Sequence, residues 1–189
     1  ELGGITVLRS GEGQRHVYGI QIYAEAEHAF TSAILEVTGT LQKKIYFLTG
    51  HGESNITTDY VDAYNSLRDN LFQVVELDLL RVGNIPSDAA ALIITGPQQD
   101  LGSEEFEILK GYLEDGGRLF VLLNPDPPDR FRALLAEWWV DVQEGTIIDP
   151  SSYVAPNKDT PLIPRTNNSL GLVEVYFPGA AALLPLSGA

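Results

Sequence analysis

The chain contains the stretch Ile45-Tyr46-Phe47-Leu48-Thr49-Gly50-His51-Gly52-Glu53, in which an apolar, β-prone segment stops at Thr49. A turn with two glycines then presents a histidine and a carboxylate. In an open α/β sheet, such a turn lies at the carboxyl end of a strand, where ligands usually bind. His51 and Glu53 are therefore the first candidates for a site that binds a ligand or a partner.

Two later apolar segments end in the same way. Leu92-Ile93-Ile94 is followed by Thr95-Gly96-Pro97, and the segment 119–123 is followed by Asn124-Pro125-Asp126. Because glycine and proline interrupt strands, we expect the three strands to end at Thr49, Thr95 and Leu123, side by side on one edge of a sheet. The candidate binding residues on this rim are His51, Glu53, Pro97, Asn124 and Asp126.

The glycine-spaced turn also has a structural interpretation. Gly50 and Gly52 permit a tight turn, and Glu53 can cap the element that follows. On the recognition interpretation, His51 is an exposed turn side chain whose loss leaves folding intact but weakens binding.

The spacing of apolar residues predicts the fold of the central part. From Lys44 to about Leu123 the pattern is strand, helix, strand, strand, helix, strand, with Thr57 or Thr58 capping the first helix and Ser103 the second. Near-continuous apolar strands with helices between them predict a mainly parallel sheet covered on both faces. The expected fold class is therefore α/β with three layers, α/β/α.

The two ends of the chain have a different rhythm. Residues 1–40 are expected to form a strand pair and a helix packed on the main domain, which takes residues 41–189, so that the chain forms one structural unit overall. The elements predicted in these regions are strands at 5–9 and 17–23, a helix at 25–38, a helix at 129–138, strands at 146–148 and 172–177, and a loop at 151–170.

Charge and cysteine content exclude several classes of function. The 189 residues include 12 basic and 26 acidic side chains, a formal charge of −14. This charge argues against binding to nucleic acids or to anionic membrane surfaces, because both require a basic patch. The absence of cysteine excludes disulfides, thiolate metal sites and a cysteine nucleophile.

Motifs for catalysis and cofactor binding are also missing. The sequence has no Gly-x-Ser-x-Gly elbow, no Walker lysine and no dinucleotide-binding glycine pattern. A His-Gly-Glu segment has too few ligands for a zinc site. We therefore expect no catalytic residue, no metal and no cofactor. The alternative is a hydrolase acting on a sugar or peptide through Glu53 and Asp126, although aspartates beside prolines are usually turn formers.

Several of these segments resemble one protein family. The segments 46–53, 85–97 and 112–119 are similar to the soluble domain of GldG-type proteins, and so are residues 27–34 and 175–178. GldG-type proteins are auxiliary components of ABC-type transport systems first associated with gliding motility. The chain differs from the family at Asn124, because Asp is more common there before Pro125.

The resemblance implies a fold, a location and partners. The implied fold is like that of class I glutamine amidotransferases, a flavodoxin-like arrangement, without the catalytic nucleophile; it is also related to a domain of an intraflagellar transport protein. The implied role is non-enzymatic binding on the extracytoplasmic side, with ABC permease and ATPase subunits as partners and a small molecule or carbohydrate as a candidate ligand. Membrane anchoring is expected through segments outside this chain, which begins at Glu1 and reads as a fragment.

Overall fold

The computed structural model describes residues 4–38, 43–164 and 175–186. It begins with a hairpin of β1 (Ile5–Ser10) and β2 (Gly13–Tyr18), followed by helix α1 (Gly19–Val37). The predicted strand at 17–23 is wrong beyond Tyr18. Tyr18 pairs with Ile5, the first residue of β1, so the following residues have no strand partner and enter the helix.

The central part has the predicted order of elements, with one additional short helix between its second and third strands. The elements are β3 (Lys44–Thr49), α2 (Val61–Asp69), β4 (Gln73–Asp78), a short helix α3 (Leu79–Val82), β5 (Ala89–Thr95), α4 (Ser103–Glu114), β6 (Leu119–Leu122) and α5 (Asp129–Ala136). The strands form one sheet in the order β4-β3-β5-β6, and all neighbours are parallel. The ends of β3, β5 and β6 therefore share one edge, which confirms the predicted rim.

Strand β3 shows why helices cover both faces of this sheet. Its side chains alternate, because successive residues of a strand point to opposite faces. Tyr46 and Leu48 pack in one core with residues of α4 and α5, whereas Ile45 and Phe47 pack in a second core against α2. The chain thus forms a mixed α/β structure with a four-stranded parallel sheet between helices.

Both predicted helix caps are wrong. Helix α2 begins after Tyr60, because Thr57 and Thr58 lie in a preceding turn whose backbone N–H groups donate to the Asn55 side chain. Helix α4 has Gly102 as its N-cap, and its N–H donates to Oε2 of Glu105. Ser103 is the first helical residue instead.

The C-terminal part contains short strands in antiparallel pairs. They are β7 (Val140–Val142) with β10 (Leu183–Pro185), and β8 (Leu162–Ile163) with β9 (Val175–Tyr176).

Three predictions for this region need correction. Residues 146–148 form no strand. The N–H of Ile147 donates one backbone hydrogen bond to the Ala180 carbonyl, which is not enough to form a ladder. Helix α5 ends at Ala136, before a left-handed Trp139 with φ 61°. The predicted loop at 151–170 contains β8. Of the strand predicted at 172–177, Val175–Tyr176 is present and residues 172–174 lie outside the described residues.

The boundary predicted at residue 40 also lies outside the described residues, so the division into 1–40 and 41–189 stays a prediction. Among the helices that the structure describes, none has the length and apolar character that crossing a bilayer demands.

Candidate functional site

The rim has its topological switch point between β3 and β5, because the chain leaves β3 for β4 on one side and returns to β5 on the other. Ligands of open α/β proteins usually bind in the crevice at this point. Here backbone hydrogen bonds join the two loops across the crevice. The N–H groups of Gln98 and Gln99 both donate to the His51 carbonyl at 2.8 Å, and Ser54 N–H donates to the Thr95 carbonyl at 2.8 Å. The crevice is therefore closed by the chain itself.

The side chain of His51 points into the protein, and the residue as a whole is only 3% exposed to solvent. Its Nδ1 lies 3.0 Å from Oε1 of Glu53, and its Nε2 lies 3.1 Å from Oε2 of Glu105. The imidazole also meets Phe131 edge to face, with ring centroids 6.0 Å apart. The expectation that His51 is an exposed turn side chain is wrong. The left-handed turn at Gly52, with φ 75°, allows Glu53 to fold back on His51.

Backbone donors hold the two carboxylates in place. Oε2 of Glu53 accepts from the His51 N–H at 2.7 Å, and Oε2 of Glu105 accepts from the Gly102 N–H at 2.8 Å. Both side chains are almost fully buried, at 2% and 3% exposure. Oε1 of Glu105 is buried and has no hydrogen-bond partner among the described residues. We refer to His51, Glu53 and Glu105 as the His51 cluster.

The two carboxylates strongly favour the charged form of the imidazole. The pKa of His51 is raised from 6.5 to about 9, chiefly by the hydrogen bond to Glu53 and further by Glu105, against the opposing effect of burial. Burial would raise the pKa of Glu53, but the hydrogen bond from His51 and the backbone donors lower it overall. At neutral pH the His51 cluster therefore contains an imidazolium that donates to one carboxylate through each ring nitrogen.

This arrangement suits a structural ion cluster better than a catalytic site. Both ring nitrogens are already used, so His51 has no free position with which to abstract or deliver a proton. The nitrogens also point in opposite directions and cannot converge on one ion. Accordingly, no group of three or more His, Asp or Glu in the described ranges could hold a metal. What the cluster does is connect the loop after β3 to the first turn of α4.

The remaining candidates lie on the same rim but apart from the His51 cluster. Pro97 is buried, whereas Asn124 and Asp126 are exposed. The Asn124 amide lies against Gly96, where a Cβ would come within 3.0 Å of Nδ2. Oδ1 of Asp126 accepts from the Gly145 N–H at 3.0 Å, which joins the segment after β6 to a loop 19 residues further along the chain. Among the described residues, no hydrogen bond joins Asp126 to Glu53.

Sequence reasoning missed the role of Glu105. Its position in the first turn of α4 was evident, and a glutamate three residues after an N-cap is a known capping pattern. That pattern identifies the bond to Gly102, but nothing in it indicates His51, which is 54 residues away in the sequence. The exposed part of the rim also includes Gln98 and Gln99. These residues belong to no catalytic motif, so only the positions of the loops in the structure identify them as part of the rim.

Comparison with known proteins identifies the family. Residues 42–160 match the family described as an ABC-type uncharacterized transport system. The chain belongs to this family, which makes it an auxiliary component of an ABC-type transport system. No curated protein sequence matches the chain.

A solved structure has a similar fold. The mmIFT52 N-terminal domain aligns with a TM-score of 0.60 over 76% of this chain and 69% of that chain, at 21% sequence identity. At this level of identity the likeness concerns the fold alone.

Proposed function

We propose that this chain is a non-enzymatic, extracytoplasmic binding domain of an ABC-type transport system, similar to GldG-type proteins. Its partners are then the permease and ATPase subunits of that system, and a small molecule or carbohydrate is a candidate ligand at the rim. The observation that carries the proposal is the family match over residues 42–160, which spans the whole parallel sheet.

The geometry of the rim supports a non-enzymatic role. An enzyme of the hydrolase type needs two titratable groups that converge on a substrate. Glu53 is buried and bound by His51, and Asp126 is exposed and bound by Gly145, so the two carboxylates of the hydrolase alternative have separate structural partners. No observation in the described residues favours hydrolysis over binding.

The finer fold assignment is part of the same proposal. We infer a class I amidotransferase-like, flavodoxin-like arrangement that lacks a nucleophile. The strand order β4-β3-β5-β6 with helices on both faces supports it, and so does the absence of cysteine from the sequence. In this arrangement the backbone contacts between the β3 and β5 loops occupy the crevice that a substrate would use.

Partner recognition is testable by a charge change on the exposed part of the rim. Asn124→Lys places a cation on the rim, and Gln73→Lys places the same charge at the opposite edge, because Gln73 is the exposed first residue of β4. In the full-length protein, we expect Asn124→Lys to reduce co-purification with the permease and Gln73→Lys to leave it unchanged. If both variants co-purify with the permease to the same extent, recognition at the rim is contradicted.

The location and the lack of catalysis have separate tests. Protease accessibility of the domain in intact cells with a permeabilised outer envelope tests the extracytoplasmic location, and protection under those conditions would contradict it. For catalysis, we expect no turnover of generic ester, glycoside or peptide substrates and no ammonia from glutamine. Turnover that disappears in Asp126→Asn, with an unchanged melting temperature, would favour the hydrolase.

A further inference from the structure

A large cavity lies along β6, the last strand of the parallel sheet, and extends to Leu123 at the end of that strand. Its volume is about 790 Å³, within the usual range for small-molecule sites. The wall is formed by β6, the end of α4, the end of α5 and the segments around β7, β8 and β10. The cavity therefore lies between the parallel sheet and the C-terminal strands.

The lining of the cavity is chemically uniform. None of the sixteen described residues that line it has a charged side chain, and only Trp138 has a side-chain hydrogen-bonding group. A sugar or an extended peptide carries many polar groups, and each one loses its hydrogen bonds to water on entering such a wall. An aliphatic chain has no such groups and gains from the transfer.

The mouth of the cavity is apolar as well. Several large lining side chains remain exposed to solvent, which is unusual for side chains of this kind in a closed core. They are Trp138 at 37%, Ile147 at 37%, Ile163 at 41%, Phe177 at 43% and Leu183 at 60%. An occupant that enters between these residues would cover surface that the described residues leave open.

We propose that this cavity binds one aliphatic chain, as found in a free fatty acid or a phospholipid, whose polar head remains in solvent. The size of the cavity, the absence of charged side chains among the described residues of its wall and the solvent exposure of several apolar lining residues all match this chemistry. The proposal is independent of the transport role and of the His51 cluster.

The two tryptophans of the chain allow the site to be located directly. Trp138 lines the cavity, whereas its neighbour Trp139 does not. A brominated fatty acid quenches tryptophan fluorescence by contact. We expect strong, saturable quenching in the Trp139→Phe protein, where Trp138 remains, and weak quenching in the Trp138→Phe protein. Equal quenching in the two proteins, or none in either, overturns the proposal.

A second pair of variants tests the wall of the cavity. Leu183 and Leu184 are adjacent on β10 and both are exposed, but only Leu183 lines the cavity, because strand neighbours point to opposite sides. We expect Leu183→Asp to weaken binding of cis-parinaric acid by about tenfold or more, since a carboxylate in the wall opposes an aliphatic chain. Leu184→Asp should stay within about twofold of wild type. Identical affinities for both variants overturn the proposal.

Two further measurements distinguish a free fatty acid from a phospholipid as the source of the aliphatic chain, and either of them from a second copy of the protein. Displacement of cis-parinaric acid by palmitic acid but not by phosphatidylcholine vesicles assigns the site to free fatty acids, and displacement by the vesicles assigns it to phospholipid; both support the proposal. The competing occupant is a second copy of the chain. Concentration-dependent dimerisation that Leu183→Asp abolishes, without any fatty-acid binding by wild type, overturns the proposal and assigns the surface to self-association.

Discussion

Nε2 of His51 lies 3.1 Å from Oε2 of Glu105, so a buried ion pair joins the loop after β3 to the first turn of α4. The second ring nitrogen contacts Glu53, and the whole cluster is shielded from water. Breaking a buried ion pair by removing one partner is strongly destabilising, because the remaining charge loses both water and its counter-charge. The motif Gly50-His51-Gly52-Glu53 therefore has a structural role at the rim, whatever the rim binds.

The first prediction concerns His51→Ala. This variant leaves two buried carboxylates without their cation, so we expect a loss of roughly 3 kcal/mol in the free energy of unfolding. For a chain of this length, that corresponds to a drop of about 6–12 °C in melting temperature. His16→Ala is the control, because His16 is exposed on β2. Equal melting temperatures for His51→Ala and wild type would contradict a stabilising role of the cluster.

The second prediction uses neighbouring glutamates of α4. Glu105 is 2% exposed and contacts both His51 and Gly102, whereas Glu104 is exposed to solvent in the same helical turn. We expect Glu105→Ala to lower the free energy of unfolding by about 2–4 kcal/mol, through the lost ion pair and the lost cap. Glu104→Ala should change it by less than about 0.5 kcal/mol. Urea unfolding measures the free energy of unfolding of both variants. Similar losses in the two would refute the stabilising role of Glu105.

The parts of this fold that depend on local patterns could be predicted from the sequence. The apolar segments ending at Thr49 and Thr95 gave the parallel sheet and its rim, because period and strand-stopping residues are local signals. The direction of the His51 side chain could not be predicted, since it depends on Glu105, which the fold brings from another element. The predicted cap of α2 is wrong for a related reason. Asn55 competes for the donors of Thr57 and Thr58 and makes a turn there.

The exact limits of β2 and β7 were also beyond the sequence. Residues 17–23 are rich in β-branched and aromatic residues that favour strands, yet the strand ends at Tyr18, because β1 supplies no partner before Ile5. Val140–Val142 forms a strand instead of residues 146–148 because β10 lies beside it. Both outcomes depend on where the partner strand lies, which periodicity alone does not encode.

The third prediction is a pH dependence of stability. The pKa of His51 is about 9 in the folded protein and 6.5 for an unperturbed side chain. The stabilisation is therefore complete below pH 6.5 and is lost as the pH rises through 9. This difference corresponds to roughly 3 kcal/mol. We expect the stability gap between wild type and His51→Gln to shrink by about that amount between pH 6 and pH 9.5. A constant gap would contradict an imidazolium in the folded state.

At acid pH the stability changes with pH in the opposite direction, because it falls as the pH is lowered. The pKa of Glu53 is lowered in the folded protein, so its contribution is present above its ordinary value of 4.5 and is lost as the pH falls through the folded value. Because His51 keeps its proton there, the loss comes from the carboxylate. The His51 cluster should therefore stabilise the fold most between about pH 4.5 and 6.5.

The last prediction separates two effects of the turn at Gly52. Gly52 and Gly83 both have φ 75°, but a Cβ at Gly52 would lie 3.2 Å from Cβ of Gln98, and at Gly83 it would meet nothing within 4 Å. Gly83→Ala should cost about 1–2 kcal/mol from backbone strain alone. Gly52→Ala should cost more, because the β5 loop must also move away from His51. Chemical unfolding of both variants gives the comparison, and equal costs would show that the contact between the loops at Gln98 adds nothing to stability.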